Sequence, residues 1–128
     1  MKKRIFISFD YDHDNDIKGS LISQAKTQEL PLEIIDMSIK EEITSKWKEN
    51  ARNRIKKCDC VIVLCGEYTS SAKGVTAELT ITQEENIPYF LLCGRHSKNV
   101  EKPKSSKKED KLYKWSWKNI KKLIYGNR

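Results

Sequence analysis

The chain predicts a three-layer α/β fold, with helices covering both faces of a central parallel sheet. Two observations carry this. Short apolar runs recur along the chain, and segments of helical periodicity separate them. The most apolar of these runs, Cys60–Cys65, lacks polar alternation altogether, which is the pattern of a strand buried on both faces.

The elements follow in order. Residues 4–9, RIFISF, are β-branched and aromatic and run into an acidic cluster, so they read as a strand feeding a loop. From Asp16 to Gln28, Ile17, Leu21, Ile22 and Ala25 recur at helical spacing, and Leu30-Pro31 stops that helix. Residues 33–37, EIIDM, form a second strand. From Glu42 to Lys57, Ile43, Trp47, Ala51 and Ile55 fall at steps of four, with Lys and Arg on the other faces. Cys60–Cys65 is the third strand, ended by Gly66. Small and polar residues at 69–74 then suit a loop and a helix start, and a helix is expected over Val75–Glu85. Pro88–Gly94 is the fourth strand, residues 95–111 a mobile basic loop, and Tyr113–Tyr125 a closing helix. Right-handed crossovers leave the flavodoxin-like order 2-1-3-4 as the natural topology.

A length of 128 residues suits one domain spanning 1–128. Charged residues make up 34 % and hydrophobic ones 38 %, with the apolar content concentrated in runs that suffice for one core. No run approaches a bilayer span, and Asp10, Asp12, Asp14 and Asp16 follow the basic start too soon for a signal peptide. A soluble cytoplasmic protein is expected. Cys58-Asp59-Cys60 is not a C-x-x-C pair, so the four cysteines are read as reduced, buried thiols.

The net charge of +7 concentrates in residues 46–57 and 95–122. Basic residues interleaved with tryptophan are a nucleic-acid signal, but no recognition motif accompanies them. A solvated loop followed by an amphipathic helix is the favoured reading. Neither GxGxxG nor GxxxxGK[ST] occurs, which argues against Rossmann hydride transfer and P-loop chemistry. No His, Cys or carboxylate set has metal-like spacing, and His13 and His96 are lone loop histidines.

In an open parallel sheet, ligands bind beyond the carboxyl ends of the strands where the strand order reverses. The loops expected there carry Phe9, Asp10 and Tyr11 after the first strand, and Gly66 to Thr69 after the third. The segment Asp36–Ser38 closes over the same region. Glu78, near the start of the helix after the third strand, is placed either to face this mouth or to decorate a solvated helix surface.

Three segments, RIFISFDYDHD, VIVLCGEYTSSAKGVTAEL and NIPYFLLCG, resemble the TIR-like family of bacteria and archaea, including TIR-like proteins of Thoeris antiphage defence systems. The likeness covers about residues 3–94, and Thr69, Ser71, Val75 and Glu78 keep register with the family's T-x-S loop and W-V-x-x-E helix start. Gly74 stands where that pattern commonly has tryptophan. The resemblance implies that Glu78 is the catalytic acid for cleaving the nicotinamide–ribose bond of NAD+. Phe9, Asp10, Tyr11, Asp36, Thr69 and Ser71 are the expected substrate-binding set. NAD+ is then a substrate rather than a cofactor, and no metal is called for. The product would be ADP-ribose or a cyclic isomer serving as a signal to a downstream effector, with homo-oligomers forming through TIR-like contacts. Two other readings remain at this stage: a non-catalytic interaction scaffold, and a nucleic-acid-binding domain using residues 95–128.

Overall fold

The computed structural model describes residues 3–28, 32–38, 42–94 and 99–126, with Asp36 and Met37 described by their backbone alone. The elements are β1 (Lys3–Ser8), α1 (Asn15–Thr27), β2 (Leu32–Met37), α2 (Ser45–Lys56), β3 (Cys60–Cys65), α3 (Lys73–Glu84), β4 (Tyr89–Cys93), β5 (Leu112–Tyr113) and α4 (Trp117–Ile124). A single 3-10 turn at Thr69–Ser71 leads into α3. All neighbouring strands pair in parallel, in the order β2-β1-β3-β4-β5. The expected order 2-1-3-4 is present, extended by one short edge strand.

Alternation along the strands builds two cores. On one face Ile5, Ile7, Ile62, Leu64, Phe90 and Leu92 meet Ile17 and Leu21 of α1 and Ile120, Leu123 and Ile124 of α4. On the other, Phe6, Val61, Val63 and Leu91 meet the α2 stripe Trp47, Ala51 and Ile55, together with Val75 and Leu79 of α3. Each large side chain buried here contributes about 1.5–3 kcal/mol by leaving water. β3 is buried at all six positions because helices cover both of its faces. α2 starts where it does because the Thr44 hydroxyl accepts from the Trp47 N–H at 3.1 Å, a cap worth about 1 kcal/mol. At the far end of the α2–α3 seam, Arg52 binds Glu84 at 2.6 Å and also pairs with Glu85.

The C-terminal part differs from the expected helix over Tyr113–Tyr125. Leu112 and Tyr113 instead extend the sheet, paired with Leu91 and Leu92 of β4. The helix begins only at Trp117, because Ser116 is its cap and accepts from the Asn119 N–H at 3.1 Å. Within the segment read as a loop, residues 99–111 are tied to the domain by hydrogen bonds. Glu101 N–H donates to the Gly66 carbonyl at 2.9 Å, Ser105 donates to the Thr76 carbonyl at 2.8 Å, and Tyr89 donates to Asp110 at 2.7 Å. Trp115 and Trp117 both donate to the side-chain oxygen of Gln24, at 3.0 and 2.8 Å, and pack against the α1–α4 core. Those indoles are engaged in packing rather than held out as stacking platforms.

Candidate active site

The strand order reverses between β1 and β3, and a cleft of about 300 Å³ opens there at the carboxyl ends of the strands. Its walls come from the loop after β1, the segment after β2, the start of α2 and the first turns of α3. Glu78 forms part of the lining although only 1 % of it is exposed, so its carboxylate lies at the cleft floor. It occupies the buried stripe of α3, with Val75 three residues before it, Leu79 beside it and Thr82 one turn on.

A buried carboxylate requires hydrogen-bond donors. Ser8, at the end of β1, donates to Glu78 Oε1 at 2.7 Å, and Ser38, just past β2, donates to the same oxygen. Ser38 is itself fixed by the Phe9 N–H, which donates to its hydroxyl at 3.1 Å. The ends of two strands therefore converge on one carboxylate of α3. Neither Ser8 nor Ser38 was among the expected site residues. The signal for Ser8 was present: it is a hydroxyl at an inward position of an otherwise apolar strand, and such a position calls for a buried partner.

The loop after β1 places Phe9, Asp10 and Tyr11 together on the cleft. Phe9 is buried and stacks on Tyr11 with ring centroids 5.8 Å apart, while Tyr11 is largely exposed at the rim. Asp10 holds the loop: its Oδ1 accepts from the Asp12 N–H at 3.2 Å, and its carbonyl accepts from the Asp14 N–H at 2.8 Å. Its Oδ2 bonds His13 Nδ1 at 2.7 Å, and the His13 ring stacks on Tyr68 at 4.3 Å. His13 also lines the cleft, a placement its lone position in the sequence did not signal. His96 lies outside the described residues.

Ser71 lines the cleft, whereas Thr69 does not. Thr69 is fully buried and accepts from the Gly66 N–H at 2.7 Å, so it closes the turn after β3. Asp36 is on β2 opposite Phe6, and its side chain lies outside the described residues. Gly74 is in the cleft wall with nothing within 4 Å of the position a Cβ would take, and Trp47, 4 % exposed, lines the same cleft. Cys65, at the end of β3, is no candidate nucleophile. Burial pushes its thiol well above the usual range, and neighbouring Cys93 adds to the effect. Among the described residues no group of three or more His, Cys, Asp or Glu side chains is placed to hold a metal ion. No described helix is long and apolar enough to cross a membrane.

A five-stranded parallel sheet with this reversal and helices on both faces is a flavodoxin-like α/β fold. The fold is similar to that of a prokaryotic SEFIR domain, with a TM-score of 0.54 and 20 % identity over 97 % of this chain and 88 % of that one. No curated protein matches the chain at a significant level. The family model described as Thoeris protein ThsB, TIR-like domain, matches residues 6–99, and the chain belongs to that family.

Proposed function

We propose that this chain cleaves the bond between nicotinamide and ribose in NAD+ and converts the remainder to a cyclic ADP-ribose-type signal in antiphage defence. A downstream effector would read that signal. The observation that carries this reading is the Glu78 carboxylate, buried at the floor of the cleft and held by Ser8 and Ser38.

The chemistry suits such a group. Nicotinamide departs as a neutral molecule, so its leaving needs no general acid. The barrier lies in the positive charge that develops on the ribose, and a carboxylate held rigidly in a water-poor site stabilises that charge without reorganising. The two serine hydroxyls fix its position before the substrate arrives. Phe9 and Tyr11 offer aromatic surface to the nicotinamide ring, and Asp10 and Ser71 offer hydrogen bonds to ribose hydroxyls. Attack by water gives ADP-ribose. Attack by a nitrogen of the adenine ring or by a ribose hydroxyl of the same molecule gives a cyclic product, which a closed cleft favours by excluding water.

The packing of Trp115 and Trp117 on Gln24 supports this reading over nucleic-acid binding by residues 95–128. The deciding experiment is mass spectrometry of nucleotides from cells expressing the protein, with and without phage infection. Glu78→Gln should lower product at least about a hundredfold, as expected on losing a preorganised electrostatic contact, while the far-ultraviolet spectrum is retained. Undiminished product from the folded variant would end the assignment of Glu78.

A further inference from the structure

The cleft is too small for its proposed substrate. About 300 Å³ is the lower limit of small-molecule sites, room for a nicotinamide riboside but not for a whole dinucleotide. Beside it lies a second, larger depression of about 880 Å³, along the outer seam between α2 and α3. Ile43, Ser71 and Lys73 line both, so the two are adjoining parts of one surface, meeting at the first turn of α3.

The groove has the chemistry of a polyphosphate site. Lys48 approaches it from α2, Lys73 from the start of α3, and Lys104 from the segment after β4. None of these three lysines has an ion-pair partner among the described residues. Arg52 and Glu84 also line it but are bound to each other, so they leave the net charge to the lysines. Lys104 is there by construction: its neighbour Ser105 donates to the Thr76 carbonyl at 2.8 Å and accepts from Gln83 at 3.0 Å, which pins this segment to α3. Thr76 adds a hydroxyl, the Thr80 hydroxyl being already donated to the Thr76 carbonyl at 2.9 Å, and the half-buried Ile43 and Ala77 supply apolar surface on which a purine can lie.

We propose that the α2–α3 groove binds the pyrophosphate and adenosine of a dinucleotide whose nicotinamide end enters the Glu78 cleft. This rests on the NAD+ reading for the occupant of the cleft. The groove itself selects a nucleoside diphosphate. Lys73 stands at the junction, where the pyrophosphate passes from cleft to groove, and Lys48 and Lys104 flank the path beyond it.

The test uses the full chain and its Lys48→Ala/Lys104→Ala variant, with two readouts. Binding of ADP and of nicotinamide riboside is followed by calorimetry, and NAD+ consumption by steady-state kinetics. The double variant should bind ADP at least about tenfold more weakly, as expected on removing two charge contacts, and keep its affinity for nicotinamide riboside. KM for NAD+ should rise by a similar factor while kcat is held. ADP affinity that is absent from the wild type, or that does not respond to the substitutions, overturns the groove. A wild type inert towards NAD+ whose ADP binding still depends on the lysines upholds the groove and removes the cleft reading instead.

Discussion

Ser8 of β1 and Glu78 of α3, 70 residues apart in the chain, meet in a buried hydrogen bond of 2.7 Å. The bond joins sheet to helix at the buried carboxyl end of β1, on the face that Phe6 turns to the α2–α3 core. Its loss would therefore be felt twice, in the fold and in the positioning of the carboxylate.

Ser8→Ala removes one of two hydroxyl donors to Glu78 Oε1. A donor to a buried charged group is worth about 1.5–3 kcal/mol, and denaturant unfolding should show a loss in that range. In Glu78→Ala the acceptor is gone, so adding Ser8→Ala should cost much less. That double-mutant cycle isolates the pair. Equal costs in both backgrounds would mean the two side chains do not interact.

His13→Ala should raise KM for NAD+ severalfold and leave kcat within about twofold, because His13 acts through Asp10 on the cleft wall rather than on the reacting bond. Asn at position 13, which can still donate to the Asp10 carboxylate, should recover part of the loss. A fall in kcat with KM unchanged would assign His13 a direct part in the chemistry.

Two glycines should respond in opposite directions to alanine. Gly19 is exposed in the interior of α1, and an added Cβ there would meet nothing within 4 Å, so Gly19→Ala should stabilise by about 0.5–1 kcal/mol through helix propensity. At Gly94 a Cβ would stand 2.9 Å from Ile17 and 3.2 Å from the Cys65 carbonyl. Gly94→Ala should cost about 1–3 kcal/mol by overpacking the α1 side of the sheet. Thermal unfolding of the two variants checks both signs.

The sequence revealed most where periodicity and burial act together. The four-residue steps of Trp47, Ala51 and Ile55 became the α2 stripe, and the unbroken apolar run of β3 became the strand buried on both faces. What escaped was long-range. Leu112-Tyr113 is too short to announce a strand by pattern, and it becomes one only because β4 offers an unpaired edge. The capping of α4 by Ser116 was legible in principle, but Tyr113 fits the same apolar stripe and drew the helix start forward. In the site, Glu78 stood out through the register of its motif, while Ser8, Ser38 and His13 gain their meaning from partners on other elements or across a loop turn. Thr69 shares the motif with Ser71, yet its hydroxyl is turned to the Gly66 N–H instead of the cleft.

Tyr89 provides a test of how residues 99–111 are held. Its hydroxyl donates to Asp110 Oδ2 at 2.7 Å and accepts from Gln83 at 3.3 Å, and the same Asp110 oxygen accepts from the Lys107 N–H at 2.8 Å. Burial, with the Asp110 hydrogen bond second, pushes the Tyr89 phenol up to about 12. The folded chain thus keeps this proton at pH values where the unfolded chain, near the ordinary 10.0, has lost it. The phenol's contribution is fully present below about pH 10 and disappears as pH rises towards about 12. Tyr89→Phe should lower stability by about 1 kcal/mol near neutrality and speed hydrogen exchange at the Lys107 amide. Between about pH 9 and about pH 11 the wild type should lose more stability than the variant, because only the wild type carries this group. Comparing the two proteins cancels the other tyrosines and the lysines, whose titration they share. Equal losses over that window would show that the phenol is not held by Asp110, and the anchoring of residues 99–111 would then rest on the hydrogen bonds of Glu101 and Ser105 and on the packing of Val100 against the core.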